Sequence, residues 1–289
     1  MLAALKRGAR RLAKAQVFFG HGTDNALDES AALLAYVLKI TGPFPSRTLQ
    51  RALRPAERSA FEALLELRIE TRQPAVYLTG VTWFAGLPLK TDARALVPRS
   101  PLAELIEREF RPWIDPARVR RILDLCTGGG CIALACAHYL PKARVDGTDI
   151  SKDALSLAQE NRRALGLTRR VRLIESDHFA ALEGERYDII VSNPPYVGAR
   201  ELKSLPEEYR HEPSLGLAAG RQGLDSVRVI LDEALEHLNP RGILVVEVGN
   251  TEGLVRRTWP SWPFTWLEFE RGGGGVFLLT REQIERQVR

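Results

Sequence analysis

The chain has 289 residues, 45% hydrophobic and 27% charged, the balance of a globular protein long enough for one large domain or two ordinary ones. No run approaches the 18 or so consecutive apolar residues of a membrane span, so no membrane partner is expected. Cys126, Cys131 and Cys136 fit no metal-ligand spacing and cannot complete a disulfide framework, which points to a reducing, cytoplasmic setting and to no metal site.

The net charge of +5 is unevenly spread. Residues 1–90 carry 13 Lys/Arg against 7 Asp/Glu, a net of +6, whereas residues 91–289 carry 28 against 29, a net of −1. A basic module beside a near-neutral one suggests an anionic partner, ribosomal RNA being one candidate, or else a merely solvated surface. Lys6, Arg7, Arg10, Arg11 and Lys14, with no acid nearby, superficially resemble an import segment. The lack of serine and the run into Val17-Phe18-Phe19 read better as an amphipathic first helix.

In chain order, Leu2, Leu5, Ala9 and Leu12 recur at helical spacing. Ala31, Leu34, Ala35 and Leu38 mark a second helix, started by Asp24 or Asp28 and stopped by Thr41-Gly42-Pro43; a third runs from about Pro55 to Arg72. These predict a small helical domain over residues 1–75. Residues 76–98 alternate with Gly and Pro punctuation, which predicts a hairpin linker. Residues 99–289 then alternate strands and helices. Strands are predicted at Ile122–Cys126, Arg144–Asp149, Val171–Ile174, Tyr187–Ser192 and Ile243–Val248, with shorter ones near Thr265–Phe269 and Val276–Thr280. Helices are predicted from Cys131, after a Ser151 cap and at about Leu224–Leu238, and Gly272–Gly275 reads as a turn. Repeated units of this kind imply an α/β fold, a mostly parallel sheet with helices on both faces.

The segment Asp124-Leu-Cys-Thr-Gly-Gly-Gly-Cys131 joins the first of these strands to its helix. Glycines there let a ligand approach the backbone, and helix N-terminal amides face it. Gly128-x-Gly130-x-x-Ala133 also fits the dinucleotide fingerprint, and Asp149 lies where a ribose-binding acid belongs. The turn alone therefore leaves nicotinamide cofactors, S-adenosylmethionine and no ligand at all open.

The fourth strand decides between them. Asp188-Ile-Ile-Val191 runs into Ser192-Asn193-Pro194-Pro195-Tyr196. In a doubly wound sheet the first and fourth strands flank the switch point, so this loop should face the glycine turn across one crevice. An amide nitrogen has a delocalised lone pair and is a poor nucleophile. Accepting hydrogen bonds from its N–H groups orients it and favours pyramidal geometry. Asn193 offers a side-chain carbonyl and Pro194 a main-chain carbonyl, both stiffened by fixed proline φ angles, and Tyr196 offers a flat face.

With these residues the chain resembles the class I methyltransferases that act on planar nitrogens, and over its whole length the protein-(glutamine-N5) branch. Gln73-Pro-Ala-Val-Tyr-Leu-Thr-Gly80, Trp83-Phe84, Gly86-Leu-Pro88 and Leu96-Val-Pro-Arg99 look like that branch's connecting segment. Cys126-Thr-Gly-Gly-Gly130 and Ser100-Pro-Leu-Ala-Glu104, with Gly20-His-Gly-Thr-Asp-Asn25 and Tyr209-Arg-His-Glu-Pro213, look like the type that modifies the third protein of the large ribosomal subunit. The type that modifies release factors usually shows Gly-Thr-Gly-Thr-Gly and Pro-x-Thr-Glu at the first two places.

The resemblance implies a Rossmann-like, seven-stranded mostly parallel sheet, S-adenosylmethionine as cofactor, and a glutamine in that ribosomal protein, free or in an assembly intermediate, as substrate. By position it implies that Cys126, Thr127, Gly128, Gly129 and Gly130 form the cofactor turn. Asp149 would hold the ribose, Asp177 the adenine amino group, with His178 beside the ring where relatives often have tryptophan. Asn193, also near the cofactor, and Pro194, Pro195 and Tyr196 would grip the glutamine. Asp124 is expected to support the turn. Arg99 is expected to be either a substrate contact or an interdomain pair, Glu247 either a crevice residue or a satisfied buried acid, and His21, His138, His211 and His237 structural. A DNA aminomethyltransferase shares the tetrapeptide chemistry but needs a base-flipping pocket and a larger recognition domain. A nicotinamide oxidoreductase leaves the tetrapeptide unexplained, and a non-enzymatic assembly factor leaves both motifs unexplained.

Overall fold

A computed structural model describes residues 1–40, 44 and 49–288; the expected stop at Thr41-Gly42-Pro43 lies outside them. Helices α1 (Leu2–Lys14), α2 (Ala26–Leu38) and α3 (Pro55–Thr71) enclose their own apolar cluster, including Leu5, Leu12, Leu33, Leu34, Phe61 and Leu65. The inward stripe of α1 is Ala4, Leu5, Gly8 and Leu12, so Leu2 faces solvent and Ala9 sits at the margin. Gly8 explains the difference. A Cβ there would meet the Phe61 ring at 2.9 Å, so the helices cross where the side chain is missing, a position that apolar periodicity passes over. The cap of α2 is Asn25 rather than Asp24 or Asp28; its side chain accepts from the Leu27 and Asp28 amides, both at 3.0 Å.

After a short helix α4 (Ala75–Thr79), which the sequence reading missed, strands β1 (Val81–Phe84) and β2 (Leu87–Lys90) form the expected antiparallel hairpin. Its inward residues Phe84, Leu87 and Leu89 join the core of the larger sheet. The backbone N–H of Lys90 donates to Asn161 Oδ1 at 2.8 Å and Tyr139 OH donates to the Ala85 carbonyl. The hairpin is therefore bound to the α/β part rather than free between two bodies.

That part continues with α5 (Leu102–Glu107), β3 (Arg121–Leu125), α6 (Cys131–Tyr139), β4 (Arg144–Asp149), α7 (Lys152–Ala164), β5 (Val171–Glu175) and β6 (Tyr187–Ser192). Then come α8 (Ala199–Leu202), α9 (Ser214–Leu217), α10 (Asp225–His237), β7 (Leu238–Glu247), α11 (Glu252–Thr258), β8 (Thr265–Trp266), β9 (Val276–Thr280) and α12 (Arg281–Val288). The seven-stranded order is β5-β4-β3-β6-β7-β9-β8, with β3 to β7 parallel and β9 antiparallel to both its neighbours. Alternate side chains of β3 divide the core: Ile122 joins α5, α6 and the hairpin, while Leu123 and Leu125 join α10 and α12. Order reverses between β3 and β6, which opens a crevice at their carboxyl ends.

Candidate active site

The β3–α6 turn passes repeatedly through left-handed backbone, with φ of +60° at Cys126, +55° at Gly128 and +85° at Gly130. Asp124 holds this shape. It is fully buried, and one carboxylate oxygen accepts from Thr127 Oγ1 at 2.5 Å and from the Ala133 amide at 2.9 Å. Burial still pushes its carboxyl up to about 7, because two hydrogen bonds do not replace full hydration. The expected supporting role thus has a clear geometric basis.

Asp149, at the end of β4, accepts from the Gly128 amide at 2.8 Å through one oxygen and from the Ser151 amide at 2.9 Å through the other. Burial raises its pKa, while these amides and the neighbouring His178 act in the opposite direction. Beyond β5, Ser176 Oγ donates to the His178 carbonyl and accepts from the Ala181 amide, fixing a tight turn in which His178 has φ of +45°. His178 Nδ1 lies 2.7 Å from Asp177 Oδ1; its Nε2 is buried without a hydrogen-bond partner among the described residues.

Ser192 Oγ donates to the Leu125 carbonyl at 2.8 Å, tying the end of β6 to the end of β3. The tetrapeptide is thereby laid beside Cys126, whose thiol burial raises far above its usual range. Asn193 is half-buried, and its side chain makes no hydrogen bond among the described residues. Tyr196 is pinned from two sides. Its OH donates to Glu247 Oε1 at 3.4 Å, and its ring lies so close to Gly249 that a Cβ there would meet it at 2.7 Å. Glu247 is 4% exposed and accepts from Ser100 Oγ at 2.5 Å; burial pushes its carboxyl up to about 7. It is a satisfied buried acid behind the crevice.

Arg99 is an internal pair rather than an open cation. Its two terminal nitrogens donate to Glu212 at 2.8 and 2.7 Å, and Glu212 also accepts from the Val97 amide, with His21 Nε2 at 3.4 Å. Burial alone would raise the Glu212 pKa, but His21 and Arg99 hold it down at about 2. Four residues earlier Glu208 accepts from the Phe18 amide and from Arg68. The loop after the tetrapeptide is thus anchored to the helical front of the chain by two buried carboxylates. Sequence reasoning set Glu212 aside, although its place in Tyr209-Arg-His-Glu-Pro213 was the available signal. His211 and His237 bond to backbone carbonyls, as structural histidines do.

These segments enclose one cavity of about 350 Å³, within the range of small-ligand sites. Cys126, Thr127, Gly128, Gly129, Asp149, Asp177, His178 and Asn193 to Tyr196 all line it. Gly130 does not. It is buried, and a Cβ there would meet Ala158 of α7 at 3.1 Å, so its task is to let α6 and α7 approach. Further lining residues the sequence did not single out are Ile150, half exposed beside Asp149, and Leu215, exposed on the anchored loop.

Residues 110–206 match the family described as "Methyltransferase small domain". Full-length similarity is more decisive. The chain is 50% identical over 280 residues to a ribosomal protein uL3 glutamine methyltransferase of Xylella fastidiosa, covering 97% of this chain and 89% of the relative. It is 48% identical to that of Xanthomonas campestris, over 99% and 92%, and 46% identical to that of Neisseria meningitidis, over 97% and 92%. The chain belongs to the ribosomal protein uL3 glutamine methyltransferase family. The fold agrees: the hMettl16 catalytic domain, solved in complex with a 3′UTR hairpin, superposes with a TM-score of 0.53 at 17% identity, covering 88% of this chain and 91% of that one.

S-adenosylmethionine is the methyl donor of such an enzyme, and the cavity fits its chemistry. Gly129 has no room for a side chain without displacing Leu157, at 3.3 Å from a built Cβ, so bare backbone forms the floor. Carboxylates at Asp149 and Asp177 can accept from ribose and purine donors, and His178 Nε2 is a buried polar atom awaiting a partner. Among the described residues no group of His, Cys, Asp and Glu could hold a metal ion, and no helix is long and apolar enough to cross a membrane.

Proposed function

We propose that this enzyme transfers a methyl group from S-adenosylmethionine to the side-chain amide nitrogen, N5, of a glutamine in ribosomal protein uL3. The observation that carries this reading is one cavity wall on which the unbonded Asn193 side chain stands beside the glycine turn and Asp149. The cofactor, when bound, supplies an electrophilic methyl group on a sulfonium. Asp149 has lone pairs left after its two amide bonds and accepts from the ribose hydroxyls. Cys126 to Gly129 lie along the cofactor, Asp177 accepts from the adenine amino group, and His178 and Ile150 give the ring its flanks. Asn193 Oδ1 and the Pro194 carbonyl accept the two amide N–H groups of glutamine. Pro195 stiffens them, and Tyr196, tethered by Glu247, presents its ring to the amide. No general base is required, because methyl transfer leaves the nitrogen as an N-protonated amide cation, a strong acid that releases its proton to water.

Residues 1–75 serve as the substrate-recognition domain, residues 76–98 as the hairpin linker and residues 99–289 as the catalytic domain. The front domain docks uL3, either free or in an assembly intermediate with ribosomal RNA, in the cytoplasm where ribosomes are built. The test is to offer the purified enzyme uL3, a release factor and DNA in parallel with labelled S-adenosylmethionine. Label in uL3 supports the proposal. Label in the release factor alone overturns the substrate while leaving the glutamine chemistry, and label only in DNA overturns both.

A further inference from the structure

The cavity lies at the carboxyl ends of the parallel strands; a different feature lies at their amino ends. The segments entering β3, β4 and β5 bring Arg118, Arg120, Lys142, Arg144, Arg169 and Arg170 to one edge of the sheet. Their alignment follows from the sheet. The Arg144 amide donates to the Arg120 carbonyl and the Val145 amide to the Arg170 carbonyl, both at 2.8 Å, so these residues sit on neighbouring strands ~4.8 Å apart. All six are exposed or half-exposed, and none has a carboxylate partner among the described residues.

Acids on that edge are already engaged. Asp146 and Glu185 are held by Arg121 and Arg172, Asp188 accepts from the Arg120 and Arg121 amides, and Asp115 caps the Ala117 amide. Glu183, on the turn before β6, is left as an exposed carboxylate. The average charge of −1 over residues 91–289 therefore conceals a concentrated positive rail. In the front domain Arg7, Arg11, Arg51, Arg54, Arg68 and Arg72 are paired with glutamates, leaving Lys6, Arg10 and Lys14 as an exposed stripe on α1 and Lys39 and Arg58 as single exposed cations elsewhere.

We infer that this rail is a binding surface for the phosphate backbone of RNA. Planar guanidinium groups in a row suit successive phosphates. None of the exposed large apolar residues falls within residues 117–121, 140–145 or 167–172, as a membrane-seeking surface would require. A five-residue strand spans ~17 Å, so RNA on this edge leaves the cavity open to a protein chain. That the RNA is ribosomal rests on the uL3 reading above; that the rail binds RNA does not.

The test measures anisotropy of a fluorescein-labelled RNA duplex with wild type, with Arg118→Gln/Arg144→Gln/Arg169→Gln, and with Lys6→Gln/Arg10→Gln/Lys14→Gln. The rail variant should weaken binding at least about tenfold at low salt and flatten the log–log salt dependence by about 2 to 3, near 0.9 per phosphate contact. The α1 variant should stay within about twofold of wild type. Unchanged affinity and slope in the rail variant overturn the inference, as does loss of binding in the α1 variant or binding to phosphatidylserine vesicles in place of RNA. Methyl transfer to RNA-free uL3, run alongside, should be equal in the rail variant and wild type. No transfer by wild type would count against the substrate and leave the RNA result intact.

Discussion

Replacing Glu247 by glutamine should stabilise the fold in a strongly pH-dependent way. Glu247 is 4% exposed at the end of β7, and burial lifts its carboxyl from 4.5 to about 7. A raised acid is neutral in the folded state while the unfolded chain ionises, so its contribution is intact below 4.5 and is lost as pH rises to about 7. At about 1.4 kcal/mol per unit, the loss totals about 3.5 kcal/mol, of which about 2.5 falls between pH 5 and pH 8. Glutamine keeps the local bonds: its carbonyl accepts from Ser100 Oγ and its amide donates to Tyr196. Asp124, also lifted to about 7, weakens wild type and variant alike and cancels in the difference. Urea denaturation of both proteins without cofactor reads the effect. Glu247→Gln should gain about 2.5 kcal/mol on wild type between pH 5 and pH 8. The same difference at both values, or a larger gain at pH 5, would refute the buried neutral carboxyl.

Asp149→Ala should weaken S-adenosylmethionine binding by about 1.5–3 kcal/mol, roughly 10- to 150-fold by titration calorimetry; unchanged affinity removes this acid from the ribose. Asn193→Ala should leave that affinity nearly intact and lower turnover by about 10²–10³. Asn193→Asp should fail as well, and a near wild-type rate for the alanine variant takes Asn193 out of the mechanism. Arg99→Ala leaves Glu212 buried without its bidentate partner and should cost about 3 kcal/mol near neutral pH. Because Glu212 is held at about 2, the penalty should shrink as pH falls from about 4.5 towards 2, and a constant penalty on acid titration contradicts the pair.

Much of the fold was legible because its signals are local. The bounds of Arg144–Asp149, Tyr187–Ser192 and Val276–Thr280 follow from their places in the strand–helix alternation, and Ser151 caps α7 as expected, accepting from the Ala154 amide. β7 begins five residues before the predicted Ile243, since Asn239-Pro240-Arg241-Gly242 reads as a turn although Tyr187 pairs with Leu238. Helix α12 buries only Ile284 and shows no apolar stripe to find. In the cavity, residues next to strand ends were recoverable from order alone. Ile150 and Leu215 reach it through a single exposed side chain each, and Glu212 anchors the wall behind it from a long loop; such contacts leave no period in the sequence. Gly130 shows the converse: a motif position that packs against α7 and does not line the cavity.

The proposed methyl acceptor is a glutamine amide nitrogen. Peptide mass spectrometry of uL3, before and after incubation with the enzyme and S-adenosylmethionine, tests it most directly. One added methyl group is expected on the side chain of a single glutamine, absent when Asn193→Ala replaces wild type under the same conditions. Methyl on a lysine, arginine or backbone amine, or an unmodified uL3 with active enzyme, would contradict it.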